Sequence, residues 1–249
     1  MEQVGTDRRV TREGSGWAGW GERAAGLREL MDDPHADPAA LSRTYANFDR
    51  VNLVVSGWRR VYTRDLRPRL IRPGGARLLD IGCGGGDISR RLMAWAARDG
   101  LQLRIVGLDA DPRAIAFARA QPTPPGLTFR TAMSGELRAG GERFDVVVSN
   151  HLLHHLQPEE FRALLADTEA LCSGLAIHSD IERHPLAYAA FRVGTARGFG
   201  GSFIHVDGLR SIRRSYTHAE LAEVAPPGWE ARRQFPFRNL LTWRAPNGT

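Results

Sequence analysis

The sequence predicts an α/β protein, with an open, mostly parallel sheet of seven strands that a final antiparallel hairpin closes and a helical N-terminal cap precedes. Three observations carry this. Ala76-Arg-Leu-Leu-Asp-Ile-Gly-Cys-Gly-Gly-Gly-Asp87 runs an apolar strand into an acidic residue and then into glycines at alternate positions. Leu101-Gln-Leu-Arg-Ile-Val-Gly-Leu-Asp109 repeats the strand-then-acid pattern one helix later. Further apolar runs end on polar residues at Asn150 and Asp180, each separated from the last by a helical stretch. Strands alternating with helices build a parallel sheet, and ligands of such sheets lie outside the carboxyl ends of the strands.

Taken in order, residues 1–20 are polar and glycine-rich, with Trp17 and Trp20 in Gly-Ser-Gly-Trp-Ala-Gly-Trp-Gly; disorder, loose docking or folding over a substrate all suit this segment. Residues 21–73 read as the cap, with helical spacing over Glu22–Met31 and from Pro38 to about Ile71, Asp37 as N-cap and Pro73-Gly-Gly as terminator. The sheet domain occupies residues 74–249. In it Ile88–Ala97 and the stretch from Pro112 to about Ala120 read as helices, and Gly126–Ala132 as a short third strand. Phe144–Asn150 is the fourth strand, followed by a helix from Pro158 to about Leu171, and Leu175–Asp180 is the fifth. An insertion at about 184–216 holds a helix from Pro185 to about Arg197 and then the glycine- and aromatic-rich run 199–209. A short helix at Ala219–Val224 leads to a hairpin, Trp229–Phe235 with Phe237–Trp243, turned at Pro236.

The totals exclude several classes. At 249 residues the chain holds one well-buried α/β domain plus a cap. No apolar run reaches the roughly 20 residues that span a bilayer, and the start has no signal-peptide core, so a cytoplasmic protein without a membrane span is expected. Two cysteines, Cys83 and Cys172, support neither a disulfide framework nor a thiolate zinc site. The net charge is +6, all 34 basic residues being arginine, yet they are spread along the chain, which makes nucleic acid an unlikely partner. A small-molecule acceptor is expected, and a monomer or homodimer.

Asp80-Ile-Gly-Cys-Gly-Gly-Gly resembles motif I of the class I S-adenosylmethionine-dependent methyltransferases. A dinucleotide fingerprint would instead need its third glycine where Asp87 stands. Phe144–Asn150 with His151-Leu-Leu-His-His-Leu156 resembles motif IV, so the resemblance covers roughly residues 76–180. It implies a Rossmann-like fold and S-adenosylmethionine as cofactor. The cofactor would be held by Asp80, Gly82, Cys83, Gly84 and Gly86, by Asp109 and Ala110, and by Asn150 and His151. Asp109 would accept from both ribose hydroxyls, while Asp111 caps the next helix. Where the family often carries an aspartate near the adenine amino group, Met133 and Ser134 stand here.

Methyl transfer needs alignment and exclusion of water, and a general base helps a hydroxyl acceptor. His151, His154 and His155 fall beyond the fourth strand, and His178, Asp180 and His184 around the fifth. The resemblance to plant phenolic O-methyltransferases points to His154 as base, against a loop-holding role; His155 reads more simply as structural. Asp180 orients a histidine, binds the substrate or opens an ion-paired helix entry, and the face of His178 stays open. His205, Asp207, Arg214 and Tyr216 either border the acceptor or decorate a surface loop. No metal is expected, since no spaced ligand set is present.

Arg28-Glu-Leu-Met-Asp-Asp and Ser211-Ile-Arg-Arg-Ser-Tyr-Thr look like the bacterial small-molecule methyltransferases of polyketide and phenolic-lipid pathways. That resemblance implies natural-product biosynthesis, with methylation of a hydroxyl on a small aromatic or polyketide-like acceptor. Asn-Pro-Pro-Tyr, the motif of amine methylation, is replaced by Ser149-Asn-His-Leu. The alternatives are a carbon methyltransferase of quinone-like biosynthesis, an RNA methyltransferase, and a protein that binds S-adenosylmethionine without methylating.

Overall fold

The computed structural model describes residues 20–246. Strand β1 (Ala76–Ile81) is central because it is buried on both faces: Leu78 enters one helical layer and Leu79 the other. It pairs in parallel with β2 (Leu103–Asp109) on one side and with β4 (Phe144–Asn150) on the other. Beyond these lie β3 (Leu127–Thr131) and β5 (Cys172–Ile181), also parallel. The closing strands are β6 (Trp229–Gln234) and β7 (Arg238–Arg244), and β7 runs antiparallel to both β5 and β6. The order β3-β2-β1-β4-β5-β7-β6 reverses direction between β1 and β4, which opens a crevice at their carboxyl ends.

The helices are α1 (Pro38–Val55), α2 (Trp58–Val61), α3 (Arg67–Leu70), α4 (Asp87–Arg98), α5 (Pro112–Ala120), α6 (Ser134–Ala139), α7 (Pro158–Leu171), α8 (Pro185–Thr195), α9 (Ile204–Arg214) and α10 (His218–Val224). One face of the sheet is covered by Trp58, Tyr62, Leu66, Leu92 and Ile115, the other by Leu137, Phe161, Leu165 and Leu221. The expected N-caps are present: Asp37 accepts from the Ala39 and Ala40 amides, and Asp111 from that of Arg113.

Three expectations are corrected. Glu22–Met31 is not a helix, because its amides bond to other elements: Ala24 donates to the Arg213 carbonyl, and Leu30 and Met31 donate to the Asp207 carboxylate at 2.7 and 3.0 Å. The single helix expected from Pro38 to Ile71 breaks at Gly57, which is left-handed at φ +66°, and resumes through a π-type turn at Tyr62–Leu66. The run 199–209 is half helical, its Ile204–Leu209 forming the start of α9. Trp20 packs edge-on against Tyr188, whereas Trp17 and the rest of residues 1–19 lie outside the described residues. Among the described residues no helix is long and apolar enough to cross a membrane.

Candidate active site

A cavity of about 940 Å³ lies along the carboxyl ends of β1, β2, β4 and β5. Its floor is the β1–α4 turn. Gly84 is left-handed at φ +52°, and a Cβ there would meet nothing within 4 Å, so the backbone stands open to a ligand. The Gly84 amide donates to Asp109 Oδ2 at 2.8 Å and the Asp111 amide to Oδ1 at 2.9 Å, which fixes the carboxylate at the rim. Gly82, Cys83, Ala110, Met133 and Ser134 also border the cavity; Met133 is 61% exposed, and Ser134 donates to Asp167 Oδ2. Gly86 does not border it. A Cβ at Gly86 would lie 2.5 Å from Phe129, so glycine is required there by packing rather than by a ligand. Asp80 accepts from Ser89 Oγ at 2.5 Å; burial, with Asp87 and Asp109 nearby, pushes it up to about 7.

The other half of the cavity begins at Asn150 and His151. His151 is left-handed at φ +58°, which turns its ring toward Arg238: the Arg238 guanidinium donates to His151 Nε2, Asn150 Oδ1 and Ser179 Oγ. Burial and the neighbouring Arg238 hold His151 well below the usual histidine range, and therefore neutral.

His154 stands beside them, almost fully buried between two carboxylates. Its Nδ1 is 2.8 Å from Asp180 Oδ1, its own amide donates to Asp180 Oδ2, and its Nε2 faces Glu29 Oε1 at 3.3 Å as an ion pair without hydrogen-bond alignment. Burial opposes the charge, but Asp180 and Glu29 outweigh it and push His154 up to about 9; Asp180 and Glu29 are held below the usual carboxylate range in return. The expected base is thus an imidazolium with no free lone pair in this arrangement. Asp180 engages both the ring and the backbone amide of His154.

His155 pairs with Asp32 at 3.2 Å and borders the cavity, while His178 lies elsewhere. His178 is buried under the sheet between Ser149 Oγ and Thr168 Oγ1, stacked on Trp229, and burial alone pulls it down to about 3. His205 bonds Thr195 and does not reach the cavity, whereas Asp207 does. Glu29, His154 and His155 bring one ligand atom each within 4.8 Å of one another, a grouping the sequence did not suggest and the one place where the described residues could gather around a metal ion. Here these groups neutralise each other, with Arg214 adding a second cation 3.5 Å from Glu29.

The pair has a pH signature. His154 is raised from an unfolded value of about 6.5 to about 9, so its stabilisation is complete below the former and lost as pH rises through the latter. Asp80 and Asp207, pushed up by burial to about 7 and about 6, also cost stability as pH rises, Asp80 as far as about pH 8. The thermal midpoint is therefore expected to fall between about pH 7 and pH 9, and a His154→Gln chain to lack the part of that slope above about pH 8; a wild-type profile that is flat there in differential scanning would refute the charged pair.

A family model described as "Methyltransferase domain" matches residues 78–173, which spans β1 through the start of β5. The ubiquinone biosynthesis O-methyltransferase of Cereibacter sphaeroides (strain ATCC 17025 / ATH 2.4.3) is 41% identical over 123 residues, 48% of this chain and 47% of that protein. The matched part of the chain, residues 78–173, is therefore similar to a methyltransferase domain. Among solved structures, the plantazolicin methyltransferase BpumL in complex with a triazolic desmethylPZN analog and SAH superposes with a TM-score of 0.58 at 13% identity, over 84% of this chain and 95% of that one. Human N-acetylserotonin methyltransferase in complex with SAM gives 0.58 at 14% identity, over 90% and 61%. Likeness at such identity speaks for the fold alone. The chain spans about half the length of the curated relatives it matches.

The chain's own residues fit the cofactor that the similarity to a methyltransferase domain implies. The open backbone at Gly84 and the paired acceptor atoms of Asp109 suit a nucleoside with two adjacent hydroxyls. Asp80, Asp87 and Asp109, whose carboxyls burial raises, form a negative field that a sulfonium would relieve. Sequence reasoning missed Glu29 and Arg238 as site residues. The one signal for Arg238 was an arginine opening an apolar strand, Arg238-Asn-Leu-Leu-Thr-Trp243.

Proposed function

We propose that this chain transfers a methyl group from S-adenosylmethionine to a hydroxyl of a small aromatic acceptor, of the phenolic or quinone-precursor type. One observation carries the reading: a single cavity runs from the glycine turn to a wall of Tyr45, Phe48, Phe191, Phe199 and Phe237, so an aromatic ring there shares an enclosure with the cofactor. When bound, the cofactor supplies an electrophilic methyl on sulfonium. Asp109 and the Gly82–Gly84 backbone hold its ribose and methionine ends, and Met133 and Ser134 flank the adenine. The apolar wall excludes water and presents the acceptor. His154, fixed by Asp180 and Glu29, is a positioning residue that sets the shape and charge of the turn after β4.

The matching relatives are named as O-methyltransferases of ubiquinone biosynthesis, which supports oxygen over carbon as the methylated atom. The test is incubation of the full chain with methyl-labelled S-adenosylmethionine and a panel of catechols, resorcinols and hydroquinones, followed by NMR of the products. A methoxy signal is the expected result. A ring C-methyl signal, or label transferred to RNA alone, would overturn the reading.

A further inference from the structure

The Arg238 guanidinium is a fully buried cation that makes no ion pair with a carboxylate among the described residues. Its partners are Asn150 Oδ1 and Ser179 Oγ at 2.8 Å and His151 Nε2 at 3.0 Å, all uncharged, and its Nε has no partner. Two other buried arginines do have counter-charges: Arg183 lies 2.5 Å from Glu220, and Arg214 lies 3.5 Å from Glu29. Asp180, the carboxylate that acts on Arg238 through space, is already paired with His154. A buried charge without a counter-charge is strongly unfavourable. Although burial pulls Arg238 down to about 10, it stays charged at neutral pH.

The placement of this charge suggests a use. Arg238 pairs with Ile181 at the ligand end of β5 and borders the cavity next to Pro236 and Phe237. Its strand lies two places beyond β4, on the side away from β2 and Asp109, and therefore in the acceptor half. His151 is locked in the same direction: accepting from Arg238 at Nε2 leaves its hydrogen on Nδ1, so it offers a second donor and no proton-accepting site.

We propose that Arg238, with His151 beside it, binds the reacting oxygen of the acceptor as a phenolate, so that the hydroxyl is activated by charge stabilisation rather than by a histidine base. The inference rests on the hydroxyl-methylation reading above. On binding, the phenol O–H bond breaks, both electrons stay on oxygen and the proton leaves to solvent; nothing is oxidised or reduced. An opposite charge within about 4–6 Å lowers such a pKa by about 1–3 units. The incoming anion also supplies the counter-charge that Arg238 lacks.

The test uses the full chain saturated with S-adenosylhomocysteine and titrated with 4-nitrocatechol, whose phenolate absorbs in the visible. In the wild-type chain the bound phenol is expected to ionise about 1–2 pH units below its free value. In Arg238→Gln that shift should vanish, while calorimetric affinity for S-adenosylhomocysteine stays within about threefold. An unshifted wild-type phenol, an equal shift in both chains, or a parallel loss of S-adenosylhomocysteine affinity would overturn the proposal. A second measurement needs no variant: above its pKa, nitrophenol should bind the wild-type chain at least about tenfold more tightly than nitroanisole, and equal binding would count against the anchor. A shifted phenol with no methylation of any phenol in the product assay would sink the hydroxyl reading alone. Methylation without the shift would sink the anchor alone.

Discussion

Replacing His154 by alanine is expected to destabilise the fold by about 3–5 kcal/mol, because it leaves two buried carboxylates, Asp180 and Glu29, facing a hole where their shared cation stood. The loss should be largest at neutral pH and smaller near pH 4, where protonation neutralises the stranded carboxylates. Urea denaturation at the two pH values checks this; equal losses would mean that the ring contributes by packing alone. Turnover should fall more than cofactor affinity, since the imidazole sits past the end of β4 while the glycine turn lies at the end of β1. Asp180→Asn is the milder companion, because an amide retains acceptance from the His154 amide through one oxygen.

The second large effect is at Asp109. Asp109→Ala should weaken S-adenosylhomocysteine binding roughly 100-fold, the equivalent of two hydrogen bonds from ribose hydroxyls to a charged acceptor. It also strips a partner from the Gly84 amide, so the turn itself loosens. Asp109→Asn separates the two contributions, since it keeps an acceptor for Gly84 and removes the charge. Unchanged affinity in Asp109→Ala, read by calorimetry, would remove the end of β2 from the cofactor site.

Local chemistry made most of the sheet legible. Leu78 and Leu79 both had to be buried, Asp111 could cap a helix opened by Pro112, and Phe235-Pro236-Phe237 had to turn. What escaped depends on pairings across the chain. Glu29 meets His154 from more than a hundred residues away, and Arg238 meets His151 across 87 positions of sequence; no local pattern encodes either. The same limit explains Glu22–Met31, whose helical spacing was real but whose amides found better partners in Asp207 and Arg213. His178 failed for a different reason: strand alternation left its face open, and the structure directs it under the sheet rather than over it.

Helix α9 presents Asp207, Ser211 and Arg214 at i, i+4 and i+7, and all three grip the segment that carries Glu29: Asp207 through the Leu30 and Met31 amides, Ser211 and Arg214 through the carboxylate. Helix and segment therefore move as one body. Because Asp207, Gly208 and Ser211 also border the cavity, a substitution made on α9 to admit a bulkier acceptor will displace Glu29 and reset the charge on His154 as well. Cavity shape and the ionisation of His154 are coupled in this chain, and an effort to broaden the first by redesign must vary α9 and residues 29–31 together.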